Sequence, residues 1–391
     1  MNSVRYIGFF FLFLISMLGS LPTEVKLGPI SLSAVITMVL VLFFCITLLK
    51  VKLSYSKLIY ILPIWLFIFF DSLGFIWGPV NIGVVQNWVV WFGGGVIFLS
   101  FISIKNHSVY LPAFFRGIKL SAIPYFLFMI TLVIFNKDDP ATIQLSILFF
   151  SYFLARVLVF KEKVSLILLF SIFMFPIFTS SRIVLISEVL AGAYAFIFIR
   201  KYCENTHASV LSKALPYLGA CILSIFVLLA LNSSESMREA NTGGDNALQV
   251  GEMNISTAGR AYWWKKSFES ALAKPILGHG TDGSKEMLSS ARWSHPHNDY
   301  LRIFHHLGVL GLIFWFSFVF LLFKTFKKAI KATNNDNERC VYIWSLLSLL
   351  FMSMVMLTDN TITYSYILFP CMALFGFTIS LFLASTQKFK I

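Results

Sequence analysis

Residues 307–323 read LGVLGLIFWFSFVFLLF, an apolar run without a charged residue that ends at Lys324. An α-helix needs about 20 predominantly apolar residues to cross the hydrocarbon core of a bilayer. Outward from this run, the sequence contains eleven more of similar character, at approximately 4–20, 28–49, 58–77, 84–104, 118–135, 141–158, 164–180, 182–199, 214–232, 340–357 and 364–384. The pattern predicts an all-α polytopic membrane protein with about twelve transmembrane helices.

The composition excludes the common soluble classes. Of 391 residues, 58% are hydrophobic and 13% are charged, and Phe alone contributes 43. An ordinary soluble domain carries roughly a quarter charged residues. A water-soluble protein of this size cannot hide so much apolar surface, so a soluble enzyme and a disordered regulator are both excluded. The five cysteines lie in predicted helices or on the predicted cytoplasmic side, which leaves no disulfide framework outside.

The net charge of +13 is explained by membrane topology, without a nucleic-acid partner. If the N-terminus is cytoplasmic, the inside connections and the two termini hold 20 of the 31 Lys and Arg residues. The short outside connections hold three, namely Lys26, Lys137 and Arg182. This positive-inside bias predicts that both termini are cytoplasmic. Residues 1–232 then supply helices 1–9, and residues 307–391 supply helices 10–12.

The first run, 4–20, has a second interpretation. Arg5, the apolar stretch and the small residues Gly19 and Ser20 are also typical of a signal peptide. The run has no clean small-x-small cleavage site, so a membrane helix is favoured. Cleavage would leave the rest of the topology unchanged.

Residues 233–306 form one long outside loop, in which hydrophobicity falls and Gly, Asn and Ser accumulate. Its first part, Ser233–Gly251, is predicted to be polar and mobile. The loop is predicted to contain a helix at 258–273 capped by Ser256 or Thr257, a Gly-rich hinge at 278–283, a short helix at 284–291, and a last helix that begins at Asn298 and continues unbroken into residues 307–323. Five of the seven histidines lie in its second half, at 279, 295, 297, 305 and 306, which favours chemistry over a passive tether.

His297 is the first candidate for that chemistry. It follows Pro296 and lies next to the predicted start of a helix, whose positive end disfavours an imidazolium ion. A neutral imidazole, with a reference pKa of about 6.5, suits a general base. The alternative is an ordinary surface histidine in a polar loop. Asn298, which follows it, and His279 are further candidates for substrate binding.

Arg182 and Arg260 are candidates for binding an anion. Arg182 stands at the outer mouth of a predicted helix, where an arginine is costly without an anionic partner, and its donors match phosphate oxygens. Its alternatives are contact with lipid head groups or an ion pair with Asp71 or Glu188. Arg260 begins the predicted loop helix, and helix N-terminal amides with a nearby arginine make an anion site.

The aromatic residues after Arg260 have two interpretations. Tyr262, Trp263 and Trp264 are predicted to lie at the membrane interface, where aromatic residues are enriched. The alternative is a platform on which sugar rings stack.

The sequence does not favour a metal site. His295 and His297 with Asp282, Glu286 or Asp299 offer possible zinc ligands, but no pair has the i, i+4 spacing of ligands on a helix. The Gly-rich turn lacks the Lys-Ser/Thr ending of a phosphate-binding loop. We expect no metal and no cofactor.

Three segments together resemble the O-antigen ligase and polymerase superfamily of bacterial inner membranes. Thr179-Ser180-Ser181-Arg182 resembles the family's Ser-Arg or Thr-Arg at the outer mouth of a helix. Gly259-Arg260, followed by Pro275-Ile276-Leu277-Gly278-His279-Gly280, is similar to its Gly-Arg…Pro-x-x-Gly-x-Gly pattern. His297-Asn298-Asp299-Tyr300-Leu301, leading to Leu307–Gly311, is similar to its most distinctive string.

The resemblance implies a metal-independent, inverting glycosyltransferase in the bacterial inner membrane, with residues 233–306 as a periplasmic catalytic loop. The implied donor is a glycan linked to undecaprenyl diphosphate, and the implied acceptor is lipid A-core or another glycolipid. In this interpretation His297 is the general base, and Arg182 and Arg260 hold the diphosphate and stabilise the leaving group.

Two alternatives stay open. A polymerase of O-antigen or another surface polysaccharide uses the same donor; a ligase is slightly favoured because the segment from His297 to Leu301 is so complete. A glycolipid transporter or flippase fits the number of helices, but such proteins often show paired half-repeats, which this sequence lacks.

Overall fold

The computed structural model describes residues 26–27, 30–49, 54–80, 82–135, 143–178, 181–203, 247–250, 253–256, 260–281 and 296–388. These residues form an almost entirely helical protein. Its α-helices are α1 (Leu32–Leu48), α2 (Tyr55–Leu73), α3 (Ile82–Ile102), α4 (His107–Ile134), α5 (Ser146–Phe160), α6 (Lys163–Phe178), α7 (Arg182–Tyr194), α8 (Arg260–Ala273), α9 (Asp299–Ala332), α10 (Asp336–Val355) and α11 (Ser365–Lys388).

Seven segments of the described residues are long and apolar enough to cross a membrane: Tyr55–Ile76, Gly83–Ile102, His107–Ile134, Ile183–Tyr202, Asp299–Ala332, Asp336–Val355 and Ser365–Thr386. The shorter helices α1, α5 and α6 are also apolar. The polytopic membrane fold predicted from the sequence is therefore confirmed. Ten of the twelve apolar runs coincide with these helices, and the other two, 4–20 and 214–232, lie outside the described residues.

Close packing of α3 against α11 forms the centre of the helical bundle. A Cβ atom at Gly376 would lie 2.5 Å from the main-chain oxygen of Phe98, and one at Gly94 would lie 3.0 Å from Leu368. Small residues let helix backbones approach each other closely, which is a common basis of helix association in membranes.

Helix α9 is broken near its N-terminal end. Gly308 has φ 63° and ψ −162°, so Asp299–Ala332 consists of two helical parts joined at a kink. The prediction of an unbroken helix from Asn298 is therefore wrong, although its start is correct within one residue. At the break the Val309 amide donates to the Pro275 carbonyl at 2.8 Å, because a segment that follows α8 replaces the missing helical partner.

That segment is 275–280, and its last three residues are the first half of the Gly-rich hinge predicted at 278–283. The His279 amide donates to the His305 carbonyl at 2.8 Å, and the Gly280 amide donates to the His306 carbonyl at 2.9 Å. The two carbonyls that the kink releases are thereby satisfied, as buried backbone groups require. The segment is locked into α9 and is not a free hinge.

Two short hairpins were not predicted. Strands β1 (Lys26–Leu27) and β2 (Ile30–Ser31) pair antiparallel, as do β3 (Ala247–Val250) and β4 (Met253–Ser256). Strand β3 lies at the end of the stretch predicted to be polar and mobile, 233–251, and β4 follows that stretch. Most of the stretch lies outside the described residues, as does the predicted helix at 284–291. Helix α8 matches the predicted loop helix and begins two residues later.

Candidate functional site

His297 lies in a short turn immediately before α9 and has an unusual backbone. Its φ of 48° falls in the left-handed region, which is uncommon for residues other than glycine. Its side chain is 20% exposed, and Nδ1 lies 3.3 Å from Oδ1 of Asp359, which is 6% exposed. Because a carboxylate only accepts hydrogen bonds, Nδ1 is the donor, and Nε2 retains a lone pair. The arrangement gives His297 the geometry of an oriented base.

Asp359 belongs to the connection between α10 and α11, residues 356–364, here called the 356–364 loop. Its carboxylate also accepts a hydrogen bond from the Asn360 amide at 2.8 Å. Its own amide donates to the Val355 carbonyl at 3.0 Å, at the end of α10. The carboxylate that faces His297 is therefore held in place from its own chain.

Asp299, the first residue of α9, ties the helix start to the same loop. The Asp299 amide donates to the Met356 carbonyl at 2.9 Å. The Ile362 amide donates to Oδ2 of Asp299, also at 2.9 Å. The Asp299 side chain is fully buried. Together these bonds fix the distance between the turn that carries His297 and the loop that carries Asp359.

Arg260 meets the site at the neighbouring residue of the 356–364 loop. Its Nη1 donates to the carbonyl oxygen of Thr358 at 2.7 Å. Four residues later on α8, Nε1 of Trp264 donates to the carbonyl of Pro296 at 2.7 Å. Helix α8 is thus attached both to the loop that carries Asp359 and to the residue before His297. The structure brings two of the three predicted catalytic residues, Arg260 and His297, to the same place.

Arg182 is the first residue of α7, as the sequence predicts. Helix α7 packs against α10, the helix that leads into the 356–364 loop. The side chain of Arg182 lies outside the part of the structure that is described. Its convergence with His297 and Arg260 stays a prediction.

Asn298 and His279, predicted to bind substrate, both have structural contacts. Oδ1 of Asn298 accepts the Leu301 amide at 2.9 Å and so caps α9. Nε2 of His279 donates to the Ser270 carbonyl on α8 at 2.8 Å. The His279 ring also stacks on His305, with centroids 4.5 Å apart. A role of either residue in substrate binding stays a prediction.

Asp71 and Glu188 were the predicted anchors for Arg182. Asp71 is fully buried at the end of α2, and its Oδ1 accepts the Thr281 hydroxyl at 2.9 Å. It therefore fastens the end of the Gly-rich turn to the membrane helices. Glu188 is fully buried in α7 and takes part in none of the ion pairs found among the described residues.

Arg302 is a basic residue whose position the sequence did not single out. It lies one turn after Asp299 on α9 and is fully buried. Its guanidinium carbon lies 5.8 Å from the ring centroid of Trp91 on α3, within the range of a cation–π interaction. A buried guanidinium therefore lies one turn along α9 from Asp299, in addition to Arg260 on α8.

The site residues that the sequence did not single out lie in the 356–364 loop. Asp359 and Asn360 form a polar pair between two apolar runs. That pair is the only local signal, and its partner His297 is 62 residues away. Within the described residues, no three His, Cys, Asp or Glu side chains cluster closely enough to hold a metal ion. His295, Asp282 and Glu286 lie outside those residues.

Residues 164–316 match the protein-family model described as O-antigen ligase. The matched segment runs from α6 to the middle of α9 and includes Arg182, Arg260 and His297. The resemblance found in the three motifs is confirmed over this segment. No curated protein matches the chain. Thr358 and Asp359, which contact Arg260 and His297, lie beyond the matched residues.

Proposed function

We propose, from the O-antigen ligase match of residues 164–316, that the protein transfers a glycan from undecaprenyl diphosphate to a sugar hydroxyl of lipid A-core. The family comprises membrane enzymes of the O-antigen ligase and polymerase type, which act on lipid-linked glycans. The reaction takes place at the periplasmic face of the bacterial inner membrane, the side that the charge distribution predicts for residues 233–306.

The His297–Asp359 pair supplies the base. Nε2 of His297 takes the proton of the acceptor hydroxyl, whose oxygen attacks the anomeric carbon of the donor sugar. The bond from that carbon to the diphosphate oxygen breaks, and the leaving group departs with the electron pair. Asp359 holds the ring in one tautomer and stabilises the imidazolium that forms, as a carboxylate does beside a catalytic histidine.

Arg260 stabilises the negative charge that develops on the diphosphate leaving group. One of its N–H groups is held by the Thr358 carbonyl, which fixes the plane of the guanidinium. The remaining N–H groups bind the phosphate oxygens, since the guanidinium is suited to bidentate binding of phosphate. Arg182 supplies the second guanidinium. Stabilisation of charge that develops in the transition state is commonly the largest contribution to catalysis.

An apolar groove on the lipid-facing side of the bundle suits the lipid part of a substrate. It has a volume of about 560 Å³ and lies between α9 and α10, lined by Phe316, Ser317, Val319, Phe320, Phe323, Leu349, Leu350 and Ser353. Its outer end borders Tyr300, whose hydroxyl donates to the Ser353 carbonyl at 2.8 Å and whose ring stacks on Phe316. Tyr300 follows His297 by three residues, so a lipid chain in this groove would place its head group next to the base.

Two adjacent residues of the 356–364 loop carry the proposal: the Thr358 main-chain carbonyl holds Arg260, and the Asp359 side-chain carboxylate holds His297. The test is reconstitution in proteoliposomes with a defined undecaprenyl-diphosphate oligosaccharide and two alternative acceptors, lipid A-core and a second lipid-linked repeat. We expect transfer to lipid A-core, unchanged by EDTA and abolished by His297→Ala. Wild-type transfer by His297→Ala would contradict the assignment of the base.

A polymerase is the second candidate, because the matched family includes both types. Transfer only to the second lipid-linked repeat would favour it. Gene deletion separates the two in cells: loss of a ligase leaves lipid-linked polymer unattached, whereas loss of a polymerase leaves single repeats on the core.

A further inference from the structure

Helix α8 has one buried side and one exposed apolar edge. Ser267 and Ala271 are fully buried against α9, whereas Phe268 is 50% exposed and Leu272 is 53% exposed. The chain then continues into Ile276 and Leu277, which are 61% and 48% exposed. Contiguous large apolar side chains of this kind mark an interaction surface on a protein. Phe268, Leu272, Ile276 and Leu277 are called the α8 apolar edge below.

The α8 apolar edge is continuous with the lipid-facing surface of α9. The Val309–Pro275 hydrogen bond at the kink places Ile276 directly beside the α9 backbone. The Phe268 ring lies 6.0 Å from the ring of Phe304. Beyond the kink, α9 exposes a single stripe with helical spacing, formed by Val309, Ile313, Phe316 and Phe320, which are 42%, 51%, 50% and 62% exposed. Since α9 is a candidate membrane span, this stripe faces lipid.

Charged residues flank the apolar edge in the manner of an interfacial helix. Lys265 is exposed on α8, Lys274 is exposed just after it, and Nζ of Lys266 lies 5.6 Å from the Trp263 ring centroid. Lysine can lay its alkyl stem along an apolar surface while its ammonium group reaches lipid phosphates. The one acidic residue of α8 is Glu269.

We propose that α8 is an interfacial helix whose apolar edge is embedded in the bilayer, at the boundary between head groups and acyl chains, on the side where α9 begins. Of the three aromatic residues predicted to lie at the interface, Trp264 donates to the Pro296 carbonyl, Trp263 lies beside Lys266, and Tyr262 is 45% exposed. The main membrane contact is made by the edge that contains Phe268 and Leu272.

Hydrogen bonds join α8 rigidly to the start of α9. The Ser270 carbonyl on α8 accepts a hydrogen bond from Nε2 of His279 at 2.8 Å. The Ser270 hydroxyl lies 3.0 Å from Nε2 of His305 on α9. Helix α8 therefore cannot rotate independently of α9. An embedded α8 holds Arg260, at its N-terminus, at the depth of lipid head groups. The membrane contact itself does not depend on the proposed transfer reaction.

Photo-crosslinking tests the proposal. Leu272 and Ala273 are both exposed neighbours, and about 100° separates successive side chains around a helix. Each is replaced in turn by p-benzoylphenylalanine, and the protein is irradiated in vesicles of phosphatidylethanolamine and phosphatidylglycerol. Mass spectrometry of the labelled peptide then identifies the adduct. We expect phospholipid adducts at position 272 at least about tenfold more often than at position 273.

Other outcomes would overturn the proposal. Equal lipid labelling at both positions would mean that α8 has no embedded edge. A crosslink from position 272 to another segment of the chain, or to a second copy, would mean that protein covers the edge. Transfer activity does not enter this readout, so its failure and the failure of the proposed reaction are distinguishable.

Discussion

Oδ1 of Asp359 lies 3.3 Å from Nδ1 of His297, on a loop that joins the last two membrane helices. The loop backbone fixes this carboxylate, and the carboxylate in turn determines which ring nitrogen of His297 is basic. The pairing connects the motif-bearing segment of the chain to a residue outside it, and several consequences are measurable.

Asp359→Asn should lower the rate of glycan transfer while leaving the fold intact. An amide can donate as well as accept, so the ring can adopt the tautomer that leaves Nε2 protonated. By comparison with other His–carboxylate pairs we expect a loss of about 10²- to 10⁴-fold in kcat. Proteoliposome assays give the rate, and thermal unfolding in detergent gives the stability. A variant with wild-type kcat would show that Asp359 is not a positioning residue.

Arg260→Lys should weaken donor use although the charge is kept. Lysine cannot both reach the Thr358 carbonyl and present a planar pair of donors to phosphate. Loss of one hydrogen bond to a charged group costs about 1.5–3 kcal/mol, which corresponds to roughly 10- to 100-fold in kcat/KM for the donor. Glu269→Gln, on the exposed side of the same helix, is the matched control. Equal kinetics for both variants would argue against a role for the guanidinium.

Leu350→Trp should fill the groove between α9 and α10 and raise KM for the lipid-linked donor. Added bulk in a filled apolar site costs about 1–3 kcal/mol, which corresponds to roughly 5- to 150-fold in KM. Ile313→Trp adds the same ring to an exposed position of α9 that does not line the groove, and it should leave KM unchanged. If a water-soluble short-chain donor were affected as strongly as the natural one, the groove would not be the lipid site.

Gly308→Ala should destabilise the protein. Gly308 has φ 63°, and a Cβ there would overlap the carbonyl of Ile276. Because neither backbone can yield without breaking the hydrogen bonds at the kink, we expect a cost of about 1–3 kcal/mol or more. Gly192→Ala is the control, since among the described residues a Cβ there meets only Phe150, at 3.9 Å. Thermal unfolding that does not distinguish the two variants would contradict this account of the kink.

Glu162→Gln should reduce stability at neutral pH by an amount that disappears in acid. Arg156 donates to the Glu162 carboxylate at 2.9 Å, Ser165 donates to it at 2.7 Å, and together they lower its pKa to about 2. A carboxyl with a depressed pKa stabilises the fold fully above its ordinary pKa of 4.5 and loses that contribution as the pH falls towards about 2.

The measurement for Glu162 is thermal unfolding of wild type and Glu162→Gln from pH 7 downward. The difference in melting temperature should be constant above about pH 5 and should shrink below it. Glu338→Gln, at another helix start, is a control because its carboxylate does not pair with Arg156. A difference that grows with acid would reverse the sign and refute the pairing.

The membrane helices could be predicted from the sequence because a bilayer imposes a local requirement, a sufficient length of apolar residues. Ten runs coincide with described helices for that reason. The kink in α9 follows no such local rule. Glycine is common in membrane helices. The positive φ of Gly308 depends on hydrogen bonds with a segment about 30 residues earlier.

The candidate site shows the same division. His297 and Arg260 could be singled out because their residue types and positions at helix starts indicate chemistry. Asp359 could not, because its significance lies in contact with a distant residue and its own neighbourhood is a short connection between apolar runs. Asn298 and His279 were singled out by their places in the motif segments, and the structure gives both of them contacts that support the fold.

The exchange of hydrogen bonds at Gly308 also has a consequence for biogenesis. In the topology predicted from the charge distribution, the N-terminal part of α9 cannot complete its backbone pairing until residues 275–280 have crossed the membrane. Since unpaired amide groups are strongly unfavourable in hydrocarbon, insertion of this helix and export of the preceding segment must finish together. Translocation of the loop is thereby coupled to maturation of the bundle, and a chain stalled between the two steps would expose the break to quality-control proteases.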